Sequence, residues 1–574
     1  MKPFKFNYLL LPLSFLFCVL LFKNISYPLL WNDESETVMT AKNILKFGYP
    51  KMHDDKNFIF LPDIGPKGPS WIGYKQSSDA NISMPWGHYY FAAIGVFFAD
   101  MVDDLFLKGA IIRISFSLMG LIGLGIFLFA LRDYFPDRTL YQWIIAAFIF
   151  IELFSVSLFL HMREARYYSL VIFIVACFFY VFIRHFMLNR YLLKKYMLWM
   201  TVVLFVAYQI NVVTFLTCCL VMCAYEGIFR LLDILALMKN KHWVFAELWR
   251  LIKAGFINLS PVLICGVLII PFVIYLETFS TAARAAEFYN YTFDTYLEHI
   301  KRIYYVFSTE EFLYLALAVK AIQVIVWWRK NNEQKGKKKK DPAYLSIEKL
   351  SFFMTLFFVC YCIMISRMPF PIVWTRYIIV LQPIMIIILL LDSVTIFKYI
   401  ASSGNLKSKN LLKYAFTALL VVGFVMNVQG KRITYIKDYV YQITHQYKGP
   451  LDFLIPYIKE NFKKPEDVVL ATNYEELSYI YYLNCKVILG YSNKNLEEDM
   501  KLQPDAIIFR KTWGHNPAPY NQLIQRAKYT RVAFPVYDSN VNNIAEMDFG
   551  IQHQFKTKMP STEQEKSDIL IKVK

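Results

Sequence analysis

Two acidic side chains, Asp33 and Glu34, stand in the hydrophilic stretch Trp-Asn-Asp-Glu-Ser-Glu that follows the first apolar run of the chain. A carboxylate placed beside a hydroxyl group can take its proton as a general base. A structural role also fits the sequence, because Asp33 as N-cap and Glu36 at N3 would form a capping box for a helix ending at Gly48. Such a cap does not exclude catalysis, since it would hold the carboxylate in one place.

A second group of functional side chains lies in the short turn His-Met-Arg-Glu-Ala-Arg, between two later apolar runs. Its arginines, Arg163 and Arg166, can pair bidentately with phosphate oxygens. Glu164 is the only carboxylate of this turn. Tyr167 and Tyr168 follow directly and can stack on a ligand or anchor the turn. Solvation alone would also explain basic residues in a turn, but their position favours an anion site.

Membrane-spanning helices would position these residues. Of the 574 residues, 57% are hydrophobic and only 18% are charged, whereas soluble proteins carry about a quarter charged residues. No small-residue cleavage site follows the first run, so we interpret it as a retained helix and not as a signal peptide. The apolar runs are about as long as a membrane crossing requires. We predict an α-helical polytopic membrane protein with about eleven transmembrane helices, near residues 8–22, 111–131, 141–160, 167–183, 196–210, 213–229, 255–276, 312–328, 351–366, 376–397 and 411–428.

Basic residues determine the predicted orientation. The net charge of +18 comes from short Lys and Arg clusters between the apolar runs. This distribution is typical of cytoplasmic loops and argues against nucleic-acid binding. All clusters are internal only if residues 86–107, which Asp100, Asp103 and Asp104 interrupt, do not cross the membrane. We therefore predict an interfacial helix there, inside an external loop over residues 30–110.

The chain changes character after residue 430. We predict a transmembrane domain over residues 1–429 and an external soluble α/β domain over residues 430–574. Periodicity and turn signals predict one helix in the external domain, at 451–462, and three buried strands, at 468–470, 486–489 and 506–509.

Most of the chain up to residue 430 resembles the GT-C membrane glycosyltransferases, particularly the protein O-mannosyltransferases and the lipid A aminoarabinose transferases (glycosyltransferase families 39 and 83). The resemblance rests on the Asp33-Glu34 pair after the first helix, the interfacial segment, and the Arg-Glu-Ala-Arg-Tyr turn. A later Arg376-Tyr377 pair begins a span, and a soluble domain ends the chain. The order and sidedness of these motifs are more specific than any one of them.

The resemblance implies that Asp33 is the acidic residue at the acceptor and that Glu164 has a second acidic role. The relatives carry His-Pro-Pro-Leu or Lys-Pro where this chain has Met-Pro-Trp-Gly-His, so His88 is the nearest replacement for a donor-phosphate contact, with Lys67 and Lys75 as weaker ones. The predicted catalytic residues are Asp33, Glu34 and Glu164. The predicted substrate-binding residues are Arg163, Arg166, Tyr167, Tyr168, His88, Arg376 and Tyr377.

The location of these residues favours a lipid-linked donor. They face a compartment without nucleotide sugars, and the sequence has no Gly-rich phosphate loop. We therefore predict a hexosyl- or pentosyltransferase of the bacterial inner (cytoplasmic) membrane that uses a polyprenyl-phosphate sugar. A lipid, glycan or protein hydroxyl would attack the anomeric carbon in one inverting displacement, with arginines stabilising the departing phosphate.

Several alternatives stay open. A transporter or flippase would explain two charges inside apolar runs, Glu152 and Lys320, which we predict to pair with each other. Neither internal repeats nor paired broken helices are apparent in the sequence. An oligosaccharide ligase of the cell-envelope pathway would use a pyrophosphate-linked donor at the same surface, and a noncatalytic assembly protein is a further alternative.

Cofactor chemistry has little support in the sequence. Eight of the nine cysteines lie within apolar runs and Cys485 stands alone in the tail, so neither disulfides nor a structural zinc site is predicted. A divalent cation held between Asp33 and Glu164 is the one metal site that the sequence leaves open.

Overall fold

The structure, a computed structural model, describes residues 8–60, 63–65, 68–239, 245–333, 342–402, 406–490, 496–511, 517–539, 543–547 and 553–573. Lys67 and the basic cluster at 337–340 therefore lie outside the described residues.

The membrane part is helical, with two small antiparallel strand pairs in its first loop. In chain order its helices are α1 (Leu10–Phe22), α2 (Asn32–Phe47), α3 (Gly87–Ala99), α4 (Leu105–Leu131), α5 (Arg138–Glu152), α6 (Val156–Met162), α7 (Tyr168–Phe182), α8 (Leu193–Ile210), α9 (Val212–Lys239), α10 (Phe245–Tyr275), α11 (Thr278–Phe288), α12 (Phe293–Glu310), α13 (Leu313–Glu333), α14 (Pro342–Ser366), α15 (Thr375–Ile378), α16 (Leu381–Ser402) and α17 (Leu406–Val428). The strand pairs are β1 (Asp63–Gly65) with β2 (Gly68–Ser70) and β3 (Tyr74–Lys75) with β4 (Ala80–Asn81).

Each of the predicted apolar runs contains a helix, but not every run is shown to cross a membrane. Among the described residues, seven helices are long and apolar enough to cross a membrane, or nine if each of two bent helix pairs is one span. The exact number of eleven is therefore not confirmed. The spans α7 and α16 are the most buried, whereas α10 and α17 expose most of their apolar surface, which is typical of helices that face lipid.

Two helix pairs are sharply bent, which the sequence did not indicate. The axis turns by 85° between α5 and α6, and by 97° between α12 and α13. The two breaks contact each other: the Ser155 hydroxyl donates to Glu311 at 2.8 Å, and the Ser157 hydroxyl donates to Glu310 at 2.7 Å. The breaks thus place polar side chains from distant segments together inside the bundle.

The predicted Glu152–Lys320 pair is wrong. Lys320 pairs with Asp392 on α16, with 2.8 Å between Nζ and Oδ2, and donates to the Ser351 hydroxyl at 2.7 Å. That hydroxyl donates to the other Asp392 oxygen at 2.6 Å. Glu152 is buried elsewhere, beside Gln382. The reason is helix packing, because α13 lies directly against α16.

Residues 86–107 form two elements. The helix α3 is only thirteen residues long, about 20 Å at 1.5 Å per residue, which is shorter than a hydrocarbon core. The helix α4 then begins at Leu105, where the Asp104 carboxylate accepts the backbone N–H of Leu107 at 2.7 Å. Its position on the outer surface of a membrane stays a prediction.

The chain after residue 430 contains the predicted α/β elements and several others. In chain order the helices and strands are α18 (Lys431–Thr444), α19 (Leu451–Asn461), β5 (Val469–Thr472), α20 (Glu476–Leu483), β6 (Lys486–Ile488), α21 (Leu496–Asp499), β7 (Ala506–Ile508), α22 (Ala518–Gln525), β8 (Tyr529–Tyr537) and β9 (Lys566–Lys572). The strands form one sheet in the order β6-β5-β7-β9-β8, parallel between β6, β5 and β7 and antiparallel at β9 and β8. The predicted helix and all three predicted strands are confirmed.

The described residues after 430, which the sequence predicts to be external and which we call the external domain, are hydrogen-bonded to the start of the first loop. The backbone N–H of Leu29 donates to Asp452 at 2.7 Å, and that of Leu30 donates to the Tyr482 hydroxyl at 3.1 Å. The helices α2 and α20 also pack against each other. The segment that leads to Asp33 is therefore held by the external domain.

Candidate active site

The first turn of α2 positions Asp33. The helix begins at Asn32 with Trp31 as its N-cap, and the Glu34 carboxylate accepts the backbone N–H of Trp31 at 3.4 Å. The predicted cap at Asp33 with Glu36 is therefore wrong by two residues, although the helix does end before a left-handed Gly48. Because the cap lies earlier, the Asp33 carboxylate is not used for capping, and its side chain is 25% exposed.

Glu34 joins three elements and is fully buried. Its carboxylate accepts two hydrogen bonds from Arg113 on α4, from Nε at 2.8 Å and from Nη2 at 2.6 Å. It also accepts the backbone N–H of Ala165 at 3.0 Å. A carboxylate with this many donors is typical of a positioning residue, since none of its oxygens is left for a substrate.

Arg166 holds α2 against the second outer turn. Its Nη1 donates to the backbone carbonyl of Asp33 at 2.8 Å, to Glu36 at 2.9 Å and to the Thr37 hydroxyl at 3.0 Å. Burial alone would lower the pKa of Arg166, but the negative charges of Glu36 and Asp33 raise it well above its usual range. Its neighbour Arg163 donates to the Tyr439 hydroxyl at 3.1 Å.

Arg376 is the second ionic group beside Asp33. It lies on the short helix α15, separate from the span α16, and its Nη1 is 3.1 Å from the Asp33 Oδ2. Its Nε is 3.6 Å from Glu546 Oε1. Both nitrogens are buried, and neither makes a hydrogen bond within the part of the chain that the structure describes. The guanidinium also lies 5.6 Å from the Trp31 ring and 5.5 Å from the Tyr377 ring.

Glu164 is buried beside this ion pair. Its Oε2 lies 2.9 Å from His161 Nδ1, while Oε1 has no hydrogen-bond partner among the described residues. Mainly because of burial, the pKa of Glu164 is raised to about 8; the charge of Arg376 opposes this increase, and the charges of Glu34 and Asp33 contribute to it. The carboxyl group therefore holds a proton at neutral pH and can donate a hydrogen bond.

The predicted aromatic residues and His88 pack around the site. The Tyr167 and Tyr168 rings lie 4.7 Å apart, and His88 packs 3.8 Å from the Tyr89 ring. Burial, and then the charge of Arg166, lower the pKa of His88 to about 3. A neutral, buried ring has no charge to offer a phosphate. Lys75, the other described substitute, pairs with Glu277 at 3.3 Å.

Two important residues were not predicted from the sequence. Arg113 lies in the apolar helix α4, where a charge is costly unless it has a partner. Its position in the sequence could therefore have indicated a buried ion pair. Glu546 belongs to the external domain, and nothing in its local sequence indicates that it lies beside Arg376. A small cavity of about 40 Å³ adjoins the site, with Trp31, Arg163 and Glu164 in its lining.

The proposed metal site between Asp33 and Glu164 gains no further ligands. Over the described residues, no group of three or more His, Cys, Asp or Glu side chains is arranged to hold a metal ion. Asp33 faces the Arg376 guanidinium instead.

No protein-family model matches the chain, and no curated protein sequence matches it significantly. Similar solved structures include ArnT from Cupriavidus metallidurans bound to undecaprenyl phosphate, with 13% sequence identity and a TM-score of 0.48. The apo state of the same protein has 12% identity and a TM-score of 0.47, and both alignments cover 98% of this chain and 97% of the other. ArnT is a lipid A aminoarabinose transferase with the GT-C fold, the group that the sequence motifs resemble. Likeness at this level concerns the overall fold and assigns no function to the chain.

Proposed function

We propose that the protein is an integral membrane glycosyltransferase that moves a sugar from a polyprenyl-phosphate donor to an acceptor hydroxyl at the outer face of the membrane. The observation that carries the proposal is the ion pair of Asp33 and Arg376, 3.1 Å apart. It places a carboxylate suited to an acceptor hydroxyl beside a cation suited to a donor phosphate. A partly exposed carboxylate and a buried guanidinium in one site supply both halves of a group transfer.

In the proposed reaction, Asp33 takes the proton of the acceptor hydroxyl. The hydroxyl oxygen attacks the anomeric carbon and forms the new glycosidic bond. The bond between that carbon and the lipid-phosphate oxygen breaks, and its electron pair leaves with the phosphate. Arg376 stabilises the charge that develops on the departing oxygen. One displacement inverts the anomeric configuration.

Donor binding also activates the base in this scheme. Within the described part of the chain, Arg376 has two buried nitrogens without hydrogen bonds, and the nearer of its two carboxylates is that of Asp33. Phosphate oxygens have the geometry that a guanidinium fork prefers. A phosphate bound to Arg376 takes over that contact and leaves the Asp33 carboxylate to the acceptor.

The other predicted residues divide into supporting roles. Glu34 and Arg166 position Asp33 through the contacts described above, and so contribute to catalysis without touching the substrate. Glu164, neutral at physiological pH, donates a hydrogen bond to the reacting groups. The predicted phosphate contact of Arg163 and the stacking role of Tyr377 remain part of the proposal.

The proposal includes a location and a substrate class. The site lies at the end of the bundle that holds the external domain, on the side that the basic clusters predict to be outside. We place the protein in the bacterial inner membrane, where the donor arrives within the lipid and the acceptor is a lipid, glycan or protein. The sugar is a hexose or a pentose.

A transporter is the alternative with some structural support, because bent helices and buried acidic residues are typical of transporters. Here, however, two of the buried acids at the bends accept hydrogen bonds inside the bundle: Ser155 and Ser157 donate to Glu311 and Glu310. Arg432 adds a positive charge beside both of them. The third, Glu152, has no hydrogen-bond partner among the described residues. The contacts of Glu310 and Glu311 join the two bends to each other, which is a structural role that needs no transported substrate.

The experiment is a transfer assay with purified protein in lipid nanodiscs. Polyprenyl-phosphate sugars should serve as donors, whereas nucleotide sugars should not. Turnover with polyprenyl-pyrophosphate oligosaccharides alone would identify a ligase. Sugar movement across the bilayer without a new glycosidic bond would identify a transporter. Analysis of lipid-linked products in cells lacking the protein should reveal accumulation of the donor and thereby its sugar.

A further inference from the structure

The external domain reaches the candidate site through one short segment. Residues 543–547 are all buried, and their Glu546 side chain is 0% exposed. This segment comes from the end of the chain, whereas Asp33 and Arg376 belong to the membrane part. Burial of a carboxylate is costly unless it is paired and hydrogen-bonded, so the contacts of Glu546 indicate its role.

Glu546 contacts α15 with both of its oxygens. Its Oε2 accepts the backbone N–H of Thr375 at 3.0 Å, which anchors the carboxylate at the first residue of the helix. Its Oε1 lies 3.6 Å from the Nε of Arg376. Asp33 lies near a different nitrogen of the same guanidinium, Nη1. The external domain therefore makes an ionic contact with the Nε side of the guanidinium, without a hydrogen bond among the described residues, while Nη1 faces Asp33.

We infer that Glu546 is a positioning residue for Arg376, so that the external domain completes the donor-phosphate site. The inference rests on the proposed function and assigns a task to the external domain. An arginine side chain has many rotamers, and ordering it before the ligand arrives removes that cost from binding. A carboxylate fixed by the backbone of Thr375 supplies this order.

The direction in which donor affinity changes when Glu546 is replaced distinguishes a positioning role from a purely electrostatic one. Glu546 is negative, so its charge alone repels a phosphate bound to Arg376, and its removal would tighten donor binding. If Glu546 instead positions the guanidinium, its removal weakens donor binding.

The test uses the full-length protein and Glu546→Gln. The amide oxygen of glutamine still accepts the Thr375 N–H, while the charge beside Arg376 is lost. We expect the KM for the donor, and the Kd for a short-chain polyprenyl phosphate without sugar, to rise about 10- to 100-fold. The value of kcat should change much less. Glu546→Asp keeps the charge and should recover part of the affinity.

A matched control and a double variant exclude a merely structural effect. Glu460→Gln alters an exposed carboxylate of α19 and should leave both constants unchanged. In an Arg376→Gln background, Glu546→Gln should cause no further loss of affinity, because the group that it positions is absent. A structural defect would add to the loss and would also lower the Tm in both backgrounds.

The outcomes of this test are distinct from those of the proposed function. A wild-type protein that neither binds polyprenyl phosphate nor transfers sugar would overturn the proposed function itself. A wild-type protein that binds, together with a Glu546→Gln variant that binds equally well or more tightly, would overturn only the role of Glu546.

Discussion

Two buried arginines of this protein, Arg510 and Arg376, each lie between two carboxylates, yet their surroundings differ. In the external domain, Arg510 is 1% exposed and donates from Nε to Asp538 at 2.6 Å. It also donates from Nη1 to Glu475 and from Nη2 to the carbonyl of Ser539. Arg376 is 8% exposed and has carboxylates at 3.1 and 3.6 Å, but its Nε and Nη1 make no hydrogen bonds to the described residues.

This difference in hydrogen bonding distinguishes a structural ion pair from a candidate binding site. Each of the three nitrogens of Arg510 already donates a hydrogen bond to the chain itself, so its contacts are those of a structural ion pair in the external domain. Arg376 has two buried nitrogens, Nε and Nη1, that make no hydrogen bond to the described residues and can donate to a ligand. Native proteins seldom leave such atoms unpaired, and the exceptions often lie at functional sites.

The largest expected effect is that of replacing Asp33, the proposed base, which pairs with Arg376. Asp33→Asn keeps the shape of the side chain but removes its basicity, so kcat should fall about 10²- to 10⁴-fold. The Tm should remain near that of wild type, because Trp31 and not Asp33 caps α2. Asp103→Asn, at an exposed position in the same external loop, is the matched control. Retained transfer by a folded Asp33→Asn protein would remove Asp33 from the mechanism.

The next effect should be on stability and only at Arg510. Arg510→Met leaves Glu475 and Asp538 buried without their cation, which typically costs about 3–5 kcal/mol. Arg376→Met should cost less than half of that, because Asp33 is partly exposed and Glu546 keeps its bond to Thr375. Thermal unfolding in detergent measures both. Equal losses would contradict the distinction between the two arginines.

A smaller effect should follow from Arg376→Lys. Lysine keeps the charge but loses the fork of donors, so the KM for the donor should rise about tenfold or more. Arg531→Lys, at an exposed arginine of β8, should leave the KM for the donor unchanged and serves as the control. An unchanged KM for the donor in Arg376→Lys would show that Nε and Nη1 of Arg376 do not bind the phosphate.

A further effect, small for each unit of pH, should appear in the pH dependence of stability. Glu164 has a pKa of about 8 in the folded protein, against an ordinary value of 4.5. Between these two values the folded state binds more protons than the unfolded state, so stability falls as pH rises, by at most about 1.4 kcal/mol per unit. Glu164→Gln should remove this slope from Tm measurements between pH 5 and 8. An identical slope in variant and wild type would contradict the buried, protonated state.

The sequence by itself determined the elements whose signals are local. Apolar runs predicted a helix at every expected place, and short apolar runs between turns predicted β5, β6 and β7. The residues near Asp33 also predicted a helix that ends at Gly48, although its N-cap is Trp31 and not Asp33. These predictions succeed because hydrophobic periodicity and turn residues act over a few neighbouring positions.

Only the tertiary structure decided which distant side chains meet. Glu34 reaches Arg113, Lys320 reaches Asp392, and Glu546 reaches Arg376. The sequence predicted a different partner for Lys320, because several buried charges satisfy the same requirement for neutralisation. Which of them pair depends on helix packing, since α13 lies against α16 and the external domain folds back onto α15. Local patterns contain no information about those distances, so the role of Glu546 emerges only from the folded chain.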